Sequence, residues 1–267
     1  MAYFDFIKQT RTPKEKLHDA VKENNTDELQ QLLDEGIDPN TALRKYGDNT
    51  PIQLAAILGY YRCVEVLIKA GGNCDQLNAF EISPLFNAAR RDHVLTMKMI
   101  LKHSRACCGL DTLWYDGRWR EYLHNSASDS VLSCLILATP DLNQMRENLT
   151  SNILCRCFQR NYFQSIFAFF AGGYNVDLPT YREKVKKSME KNINANLTNE
   201  KSENKLLLKI DSLVNSKNPL PLQAICRLAV RRTFYKNCNV FYGMEKVVLP
   251  SSLKEFIVFN GELIIDS

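Results

Sequence analysis

Histidine and cysteine, the side chains that most often do chemistry near neutral pH, form no catalytic pattern in this sequence. There are four histidines, and His18 and His124 fall at positions of an internal repeat where an imidazole usually makes a turn hydrogen bond. No glycine-rich phosphate loop, paired-acid motif or nucleophile elbow accompanies them. An enzyme is therefore the least favoured interpretation, and the sequence predicts no catalytic residue.

The nine cysteines are odd in number and form no regular framework. The tightest pairs, Cys107-Cys108 and Cys155 with Cys157, are too close for a usual zinc site, and no second ligand pair follows at a suitable distance. We therefore expect small buried apolar side chains or reduced thiols, in a reducing compartment. The sequence predicts neither a metal nor a cofactor.

The composition gives little support to a membrane or nucleic-acid partner. Of 267 residues, 45% are hydrophobic and 24% are charged, and the net charge is only +4. There is no run of eighteen apolar residues, and the N-terminal segment lacks the long apolar stretch of a secretory signal. We therefore predict no membrane association and a cytoplasmic location, with the nucleus as a second compartment.

An internal repeat with a period near 33 residues organises the first two-thirds of the chain. Its clearest copy opens with Thr50-Pro51, contains the pair Ala55-Ala56 and closes with Gly71-Gly72. Thr before Pro suits a helix start, paired alanines let neighbouring helices approach closely, and glycine suits a left-handed helix end. The next copy opens at Ser83-Pro84, and an earlier copy, from Leu17 to Asn40, lacks the Thr-Pro pair.

Two further copies are degenerate. One spans 153–177, where Leu154, Ile166 and Phe169 occupy apolar positions of the clearest copy, and the other, 123–143, is about three residues short. The pattern resembles the ankyrin repeat. This resemblance implies an all-α solenoid of about five helix-turn-helix repeats, some degenerate, that are stable only as a stack.

The loop tips and the concave side of such a stack are the usual places for target binding. Candidate contact residues at two tips are Tyr46, Asp48 and Phe80. A third candidate region, the connection from Cys107 to Arg120, is rich in the Trp, Tyr and Arg that are enriched at binding hot spots. Alternatively, its aromatic side chains fold back and fill the gap left by an irregular repeat. The candidates in this region are Trp114, Tyr115 and Trp119.

The character of the chain changes after Asp177. Residues 181–204 are rich in Lys, Asn and Glu, which predicts a solvated helix or a partly disordered insertion. Residues 206–214 then predict an apolar helix suited to cap the open end of the solenoid, and Pro219 and Pro221 end it.

Residues 222–232 predict an amphipathic helix, with Pro221 in its first turn. Leu222, Cys226 and Val230 are four residues apart and line one stripe, which Ile225 and Ala229 widen. We expect the arginines to lie on the polar surface of this helix: Arg227, Arg231 and Arg232.

This segment resembles the elongin-binding box of the SOCS-box family, which Pro221, Leu222, Cys226 and Val230 match at every position. Residues 247–257 resemble the cullin-binding box of the same family. Val248 stands where that box usually has proline, which leaves the choice of cullin open. Four residues match the second box directly and a phenylalanine replaces its tyrosine: Leu249, Pro250, Leu253, Ile257 and Phe256.

The whole chain resembles an ankyrin-repeat and SOCS-box protein. The resemblance implies that elongin C binds the Leu222 stripe and brings elongin B, and that the second box recruits cullin-5 with its RING-box partner. The repeats then hold an unidentified protein substrate. The alternative is an ankyrin scaffold with no ligase role, in which the tail is a cap and its stripe is buried. The predicted divisions are an extension 1–12, repeats 13–177, a linker and capping helix 178–218, a small helical SOCS box 219–260 and a tail 261–267.

Overall fold

The structure is a computed structural model of the 267-residue chain. It describes residues 11–105, 116–145, 162–172, 238–252 and 254, together with 110, 113, 152–154, 156–157, 160, 174 and 229–231. Regular secondary structure in these residues is helical, apart from an isolated bridge between Leu43 and Asn49. The all-α prediction is confirmed. The chain divides into two compact units, Met1–Cys107 and Cys108–Ser267.

The described part of the first unit contains three helix pairs stacked in two layers. The first helices of the pairs, α1, α3 and α5, contact one another in order, and so do the second helices, α2, α4 and α6. A 3-10 turn at Arg44–Tyr46 lies between the first two pairs. The helices are α1 Pro13–Lys22, α2 Thr26–Asp34, α3 Pro51–Leu58, α4 Tyr61–Lys69, α5 Pro84–Arg90 and α6 Val94–His103.

The predicted Thr-Pro and Ser-Pro pairs begin helices. Thr50 and Gln53 form a reciprocal capping box, in which each side chain accepts a hydrogen bond from the other residue's backbone amide. Ser83 caps α5 through the amide of Phe86. The expectation that the first copy lacks Thr-Pro is wrong, because Thr12-Pro13 opens α1 one helical turn further upstream, with its own capping box.

Small and apolar side chains close the packing between the layers. Ala55 and Ala56 have no exposed surface, and Leu67 on α4 is also fully buried. Gly36 and Gly71 follow the capping residues at the ends of the second helices of the first two pairs, and they have φ of 87° and 92°. This is the left-handed conformation that glycine adopts at little cost, as the sequence predicts.

In the described part of the second unit, α8 is the most enclosed helix, because every residue from Val131 to Ala138 is buried. Both α9 and α10 pack against α8. The repeat positions Leu154, Ile166 and Phe169 are fully buried, in agreement with the degenerate copies read from the sequence. The helices of this unit whose bounds lie in the described residues are α7 Gly117–Asn125, α8 Asp129–Ala138, α9 Phe163–Ala171 and α10 Val240–Lys246.

Several sequence predictions lie outside the described residues. They include the basic segment 181–204, the apolar helix 206–214 and the first part of the amphipathic helix, 221–228. Within the described part, no helix has the length and apolar character needed to cross a membrane.

Candidate functional site

At the described end of the amphipathic helix, three successive side chains change from exposed to buried. Residues 229–231 are helical; Ala229 is exposed, Val230 is half-buried and Arg231 is fully buried. Successive residues on a helix differ by about 100° in direction, which accounts for this change. Of the two described residues of the predicted stripe, Ala229 is therefore exposed and Val230 is only partly exposed. The remaining elongin-box candidates lie outside the described residues: Pro221, Leu222, Ile225 and Cys226.

Arg231 binds the C-terminal end of α8. Its Nη2 donates hydrogen bonds to the carbonyl oxygens of Leu137, at 2.8 Å, and Thr139, at 3.1 Å. The last carbonyls of a helix lack partners within the helix and carry partial negative charge, so a cation stabilises them. The expectation that Arg231 lies on the polar surface is therefore wrong. Spacing along the helix does not reveal carbonyl acceptors that are supplied by another element.

Thr139 holds the end of α8 in place. Its hydroxyl donates to the carbonyl of Leu135 at 2.8 Å and accepts from the backbone amide of Leu110 at 3.0 Å. Thr139 is 2% exposed, so these bonds are made away from solvent. The carbonyls that Arg231 contacts therefore lie at a helix end that is held by buried hydrogen bonds.

The second box follows α10, whose apolar side is buried. Val240, Phe241 and Met244 are almost inaccessible, and Asn239 caps the helix by accepting a 3.0 Å hydrogen bond from the amide of Tyr242. After α10, Val248 is 99% exposed. Leu249 is half-buried, Pro250 is exposed and a helical turn begins at residue 251. The other candidates of this box lie outside the described residues: Leu253, Phe256 and Ile257.

Family models match both parts of the chain. A model for ankyrin repeats, in three copies, matches residues 17–112, and a model for the SOCS box matches residues 218–257. The chain belongs to the ankyrin-repeat and SOCS-box family. No curated protein matches it closely enough to be counted as a relative.

The combination of modules defines an adaptor type of protein. A SOCS box binds elongin B and C and so joins a cullin-RING ligase, while ankyrin repeats bind a protein target. This ankyrin-repeat and SOCS-box chain is therefore a substrate receptor for ligases of that general kind, and neither module supplies bond-making chemistry.

The ankyrin hairpin between α4 and α5 presents an exposed aromatic side chain on a rigid backbone. Phe80 is 63% exposed, and its neighbour Leu77 is 53% exposed. Asn78 Oδ1 accepts hydrogen bonds from the amides of Phe80 and Ile82, both at 3.0 Å. Gln53 Nε2 fastens the base of the hairpin by donating to two of its carbonyls. Sequence reasoning selected Phe80 but missed Leu77.

The first ankyrin tip is partly engaged within the chain. The Tyr46 hydroxyl donates to Asp19, and its ring stacks on His18 with centroids 5.2 Å apart. Burial, and then the hydrogen bond with the Asp19 carboxylate, raise the pKa of Tyr46 to about 12. Tyr46 and Asp48 are both half-buried, and Asp48 has a φ of 55°. Tyr46 therefore joins the first two repeats, and only part of its surface is open to a partner.

Trp119 lies on helix α7 and not in a loop. It is 3% exposed, and its ring meets that of Tyr122 edge-on at 6.0 Å. This burial favours the alternative interpretation, in which aromatic side chains fill an irregular repeat. Trp114 and Tyr115 lie outside the described residues.

The ankyrin histidines make structural contacts. His18 Nε2 lies 3.1 Å from the Asn49 carbonyl oxygen of the next repeat, and His93 Nε2 lies 3.2 Å from that of Ile57. His124 differs, because it is exposed and contacts only the adjacent Asn125 in the bonds described.

The described cysteines are free thiols in the core. Burial raises the pKa of Cys63 to about 11 and those of Cys74 and Cys157 to about 12. Such thiols remain protonated and are poor nucleophiles at neutral pH. Among the described residues, no group of His, Cys, Asp and Glu has the arrangement of a metal site.

Proposed function

We propose that the chain is the substrate-recognition subunit of an elongin B/C–cullin-5 RING ubiquitin ligase. The observation that carries the proposal is the exposure of both box segments where they are described. Ala229 at the end of the first box and Val248 at the start of the second face solvent. Exposed apolar side chains in two segments with family spacing are suited to bind partner proteins.

The same observation weighs against a tail that serves only as a cap. In that alternative, the apolar stripe of the tail would be buried against the solenoid. Instead, α10 supplies the apolar packing on α8 through Val240, Phe241 and Met244. Arg231 supplies the polar contact at the end of α8. The tail thus contacts the solenoid without burying Ala229.

In the proposed complex, elongin C binds the stripe formed by the first box, and elongin B binds elongin C. Leu222 enters a pocket on elongin C, with Cys226 and Val230 packed below it. The residues assigned to this contact are Pro221, Leu222, Ile225, Cys226, Ala229 and Val230.

The second box recruits cullin-5 and its RING-box protein. Leu249 and Pro250 lie at the solvent-facing start of this segment, next to Val248. The same contact is assigned to Leu253, Phe256 and Ile257. Because Val248 replaces the usual proline, binding of elongin and choice of cullin need separate measurements.

The ankyrin tips hold the protein substrate, with Phe80 as the leading contact. An exposed aromatic ring on a backbone fixed by Asn78 loses little conformational entropy when it binds. Asp48 and the open part of Tyr46 are secondary candidates, and Trp114 and Tyr115 remain proposals from the sequence. Free buried thiols are consistent with a cytoplasmic or nuclear location.

Capture of purified elongin B/C by the full chain tests the ligase role. The double variant Leu222→Ala, Cys226→Ala is expected to abolish capture. Truncation of a hot-spot leucine commonly costs ~2–4 kcal/mol, and each ~1.4 kcal/mol is a tenfold change in affinity. Leu95→Ala is a matched control, because Leu95 is 67% exposed on α6. Undiminished capture by the double variant would contradict the proposal and favour the scaffold alternative.

The substrate is sought by comparing proteins captured by the wild type and by the double variant. Elongins should be missing from the variant, while substrates should persist or accumulate. Phe80→Ala should show the opposite pattern, with elongins retained and substrates reduced. If Phe80→Ala retains every partner, Phe80 is not a substrate contact.

A further inference from the structure

We infer that Arg231 is a positioning residue that fixes how the elongin-binding helix sits on the repeats. The inference rests on the proposed function, because it assumes that elongin C binds the opposite face of this helix. Arg231 would not touch elongin C. Its role is to hold one face of the helix on α8 so that the other face points outward.

The register of the helix supports this division into two faces. At about 100° per residue, Arg231 lies about 180° around the predicted helix from Leu222, nine residues earlier. Ala229, on the Leu222 side, is exposed, whereas Arg231 is fully buried. The described turn of this helix therefore has an exposed residue, Ala229, on one side and a buried charged anchor, Arg231, on the other.

The chemistry of the anchor makes it specific. The guanidinium Nη2 contacts two carbonyl oxygens at the end of α8, those of Leu137 and Thr139. A planar guanidinium presents its donors in fixed directions, whereas the ammonium of lysine is a compact, strongly hydrated charge on a flexible stem. A rotation or shift of the helix would remove Nη2 from this pair of acceptors and leave a buried charge with fewer partners, which is unfavourable.

Helix α8 connects this anchor to the repeats. It packs against α9 on the repeat side and against α10 in the SOCS box. Asp129, at the start of α8, accepts hydrogen bonds from the amides of Gln164 and Ser165, at the start of α9. Arg231 binds the other end of the same helix. The elongin-binding helix and α9 therefore both contact α8, one at each end, and we expect the three helices to move together.

The inference is tested with the full chain in complex with purified elongin B and C. The variants are Arg231→Met, which keeps much of the side-chain volume, Arg231→Lys, which keeps the charge, and the control Arg120→Met, at an exposed arginine of α7. Two quantities are measured: the affinity for elongin B/C by calorimetry, and the distribution of shapes of the complex by small-angle X-ray scattering.

For Arg231→Met we expect an elongin affinity within about threefold of wild type, because its side chain is remote from the binding stripe. The scattering should change from one arrangement to a broader distribution with a larger maximum dimension. Arg231→Lys should give an intermediate distribution, and Arg120→Met should match wild type. An unchanged affinity with a changed scattering profile would show that Arg231 positions the helix and does not itself bind elongin C.

Scattering of the Arg231→Met complex that is identical to wild type would overturn the inference. A loss of elongin affinity greater than about tenfold would also overturn it, because Arg231 would then belong to the binding face. If Arg231→Met does not fold, Arg231→Lys decides the matter, and a wild-type distribution for that variant counts against the inference. Failure of the wild-type chain to bind elongin B/C contradicts the proposed function itself and is recognised before any variant is compared.

Discussion

Asp129 Oδ1 accepts a 2.6 Å hydrogen bond from the hydroxyl of Ser165, one repeat period further along the chain. The same carboxylate accepts bonds from the backbone amides of Gln164 and Ser165 at 2.9 and 2.8 Å. A residue in the first turn of α8 therefore caps the start of α9 in the next repeat. The amides at a helix start lack internal partners, and a carboxylate stabilises them.

Replacing Asp129 by alanine is expected to lower the free energy of unfolding by about 2 kcal/mol, because two backbone amides lose their acceptor and the Ser165 hydroxyl keeps only the backbone carbonyl of residue 129. The matched control is Asp116→Ala. Asp116 is exposed, and in the bonds described it caps α7 through one amide, that of Arg118. Its loss should cost about 1 kcal/mol or less. Urea denaturation of both variants measures the difference, and equal losses would contradict the role given to Asp129.

Two glycines with similar backbone angles should respond differently to alanine. Gly36 and Gly59 have φ of 87° and 80°, so alanine is strained at both positions. A Cβ at Gly36 would meet no atom within 4 Å, whereas a Cβ at Gly59 would lie 2.7 Å from His93 Nδ1. We expect Gly36→Ala to cost about 1 kcal/mol, and Gly59→Ala to cost about 2–4 kcal/mol because overpacking adds to the strain.

Thermal and urea unfolding measure both glycine variants. A double-mutant cycle with His93→Ala then isolates the steric part. Gly59→Ala should cost less stability in the His93→Ala background than in the wild type, because the ring that the new Cβ would meet is gone. Strict additivity would show that the contact with the His93 ring is not the cause.

The sequence predicts the first unit well because its signals are local. Thr50-Pro51, Ala55-Ala56 and Gly71 each act on their own helix or on the adjacent layer, so a repeat period is enough to place them. Even there, the repeat period does not predict the start of α1, because Thr12-Pro13 stands one turn earlier than the period requires.

In the second unit the same signals place apolar repeat positions such as Leu154 and Phe169, but they do not predict where Arg231 and Trp119 lie. Arg231 is fully buried because two carbonyls at the end of α8, more than ninety residues away, accept its hydrogen bonds. Trp119 is buried because α7 begins at Gly117, inside the stretch interpreted as a connection. Neither the acceptors of a distant helix end nor the free space within an irregular repeat can be read from spacing along the chain.

The buried thiols predict a loss of stability at alkaline pH. In the unfolded chain these thiols ionise near pH 9.0, whereas burial raises the pKa of Cys63 to about 11 and that of Cys74 to about 12 in the folded chain. The unfolded state therefore loses protons first, and the free energy of unfolding should fall as pH rises from about 9 towards 12. Urea midpoints at pH 7.5 and pH 10 measure this change.

Replacing Cys63, Cys74 and Cys157 by alanine should make the alkaline decrease shallower. Other groups, such as Tyr46, also titrate in this range. The contribution of the thiols is therefore the difference in alkaline stability loss between the wild type and the triple alanine variant. At pH 8, iodoacetamide should leave these three thiols unmodified in the folded protein and modify them in urea. Rapid labelling of the folded protein would contradict their protection.

Val248→Pro should strengthen binding of cullin-5 to the elongin-bound chain without loss of stability. Val248 is 99% exposed, and Val247 before it has φ of −91° and ψ of 134°, the extended conformation that precedes proline readily. Proline would restore the family residue and reduce the conformational freedom of the unbound segment. Binding assays with cullin-5 and with a second type of cullin measure the effect. Unchanged binding of both would mean that position 248 does not influence the choice of cullin.

The burial of Arg231 against α8 also bears on how this receptor can be engineered or exchanged. Cutting the chain near residue 218 would divide a packed assembly, because α10 and Arg231 both contact α8. A chimera that takes only the C-terminal segment from another receptor would have to bring a residue that fits the carbonyls of Leu137 and Thr139. The natural unit of recombination is therefore the SOCS box together with helices α8 and α9 of the repeats.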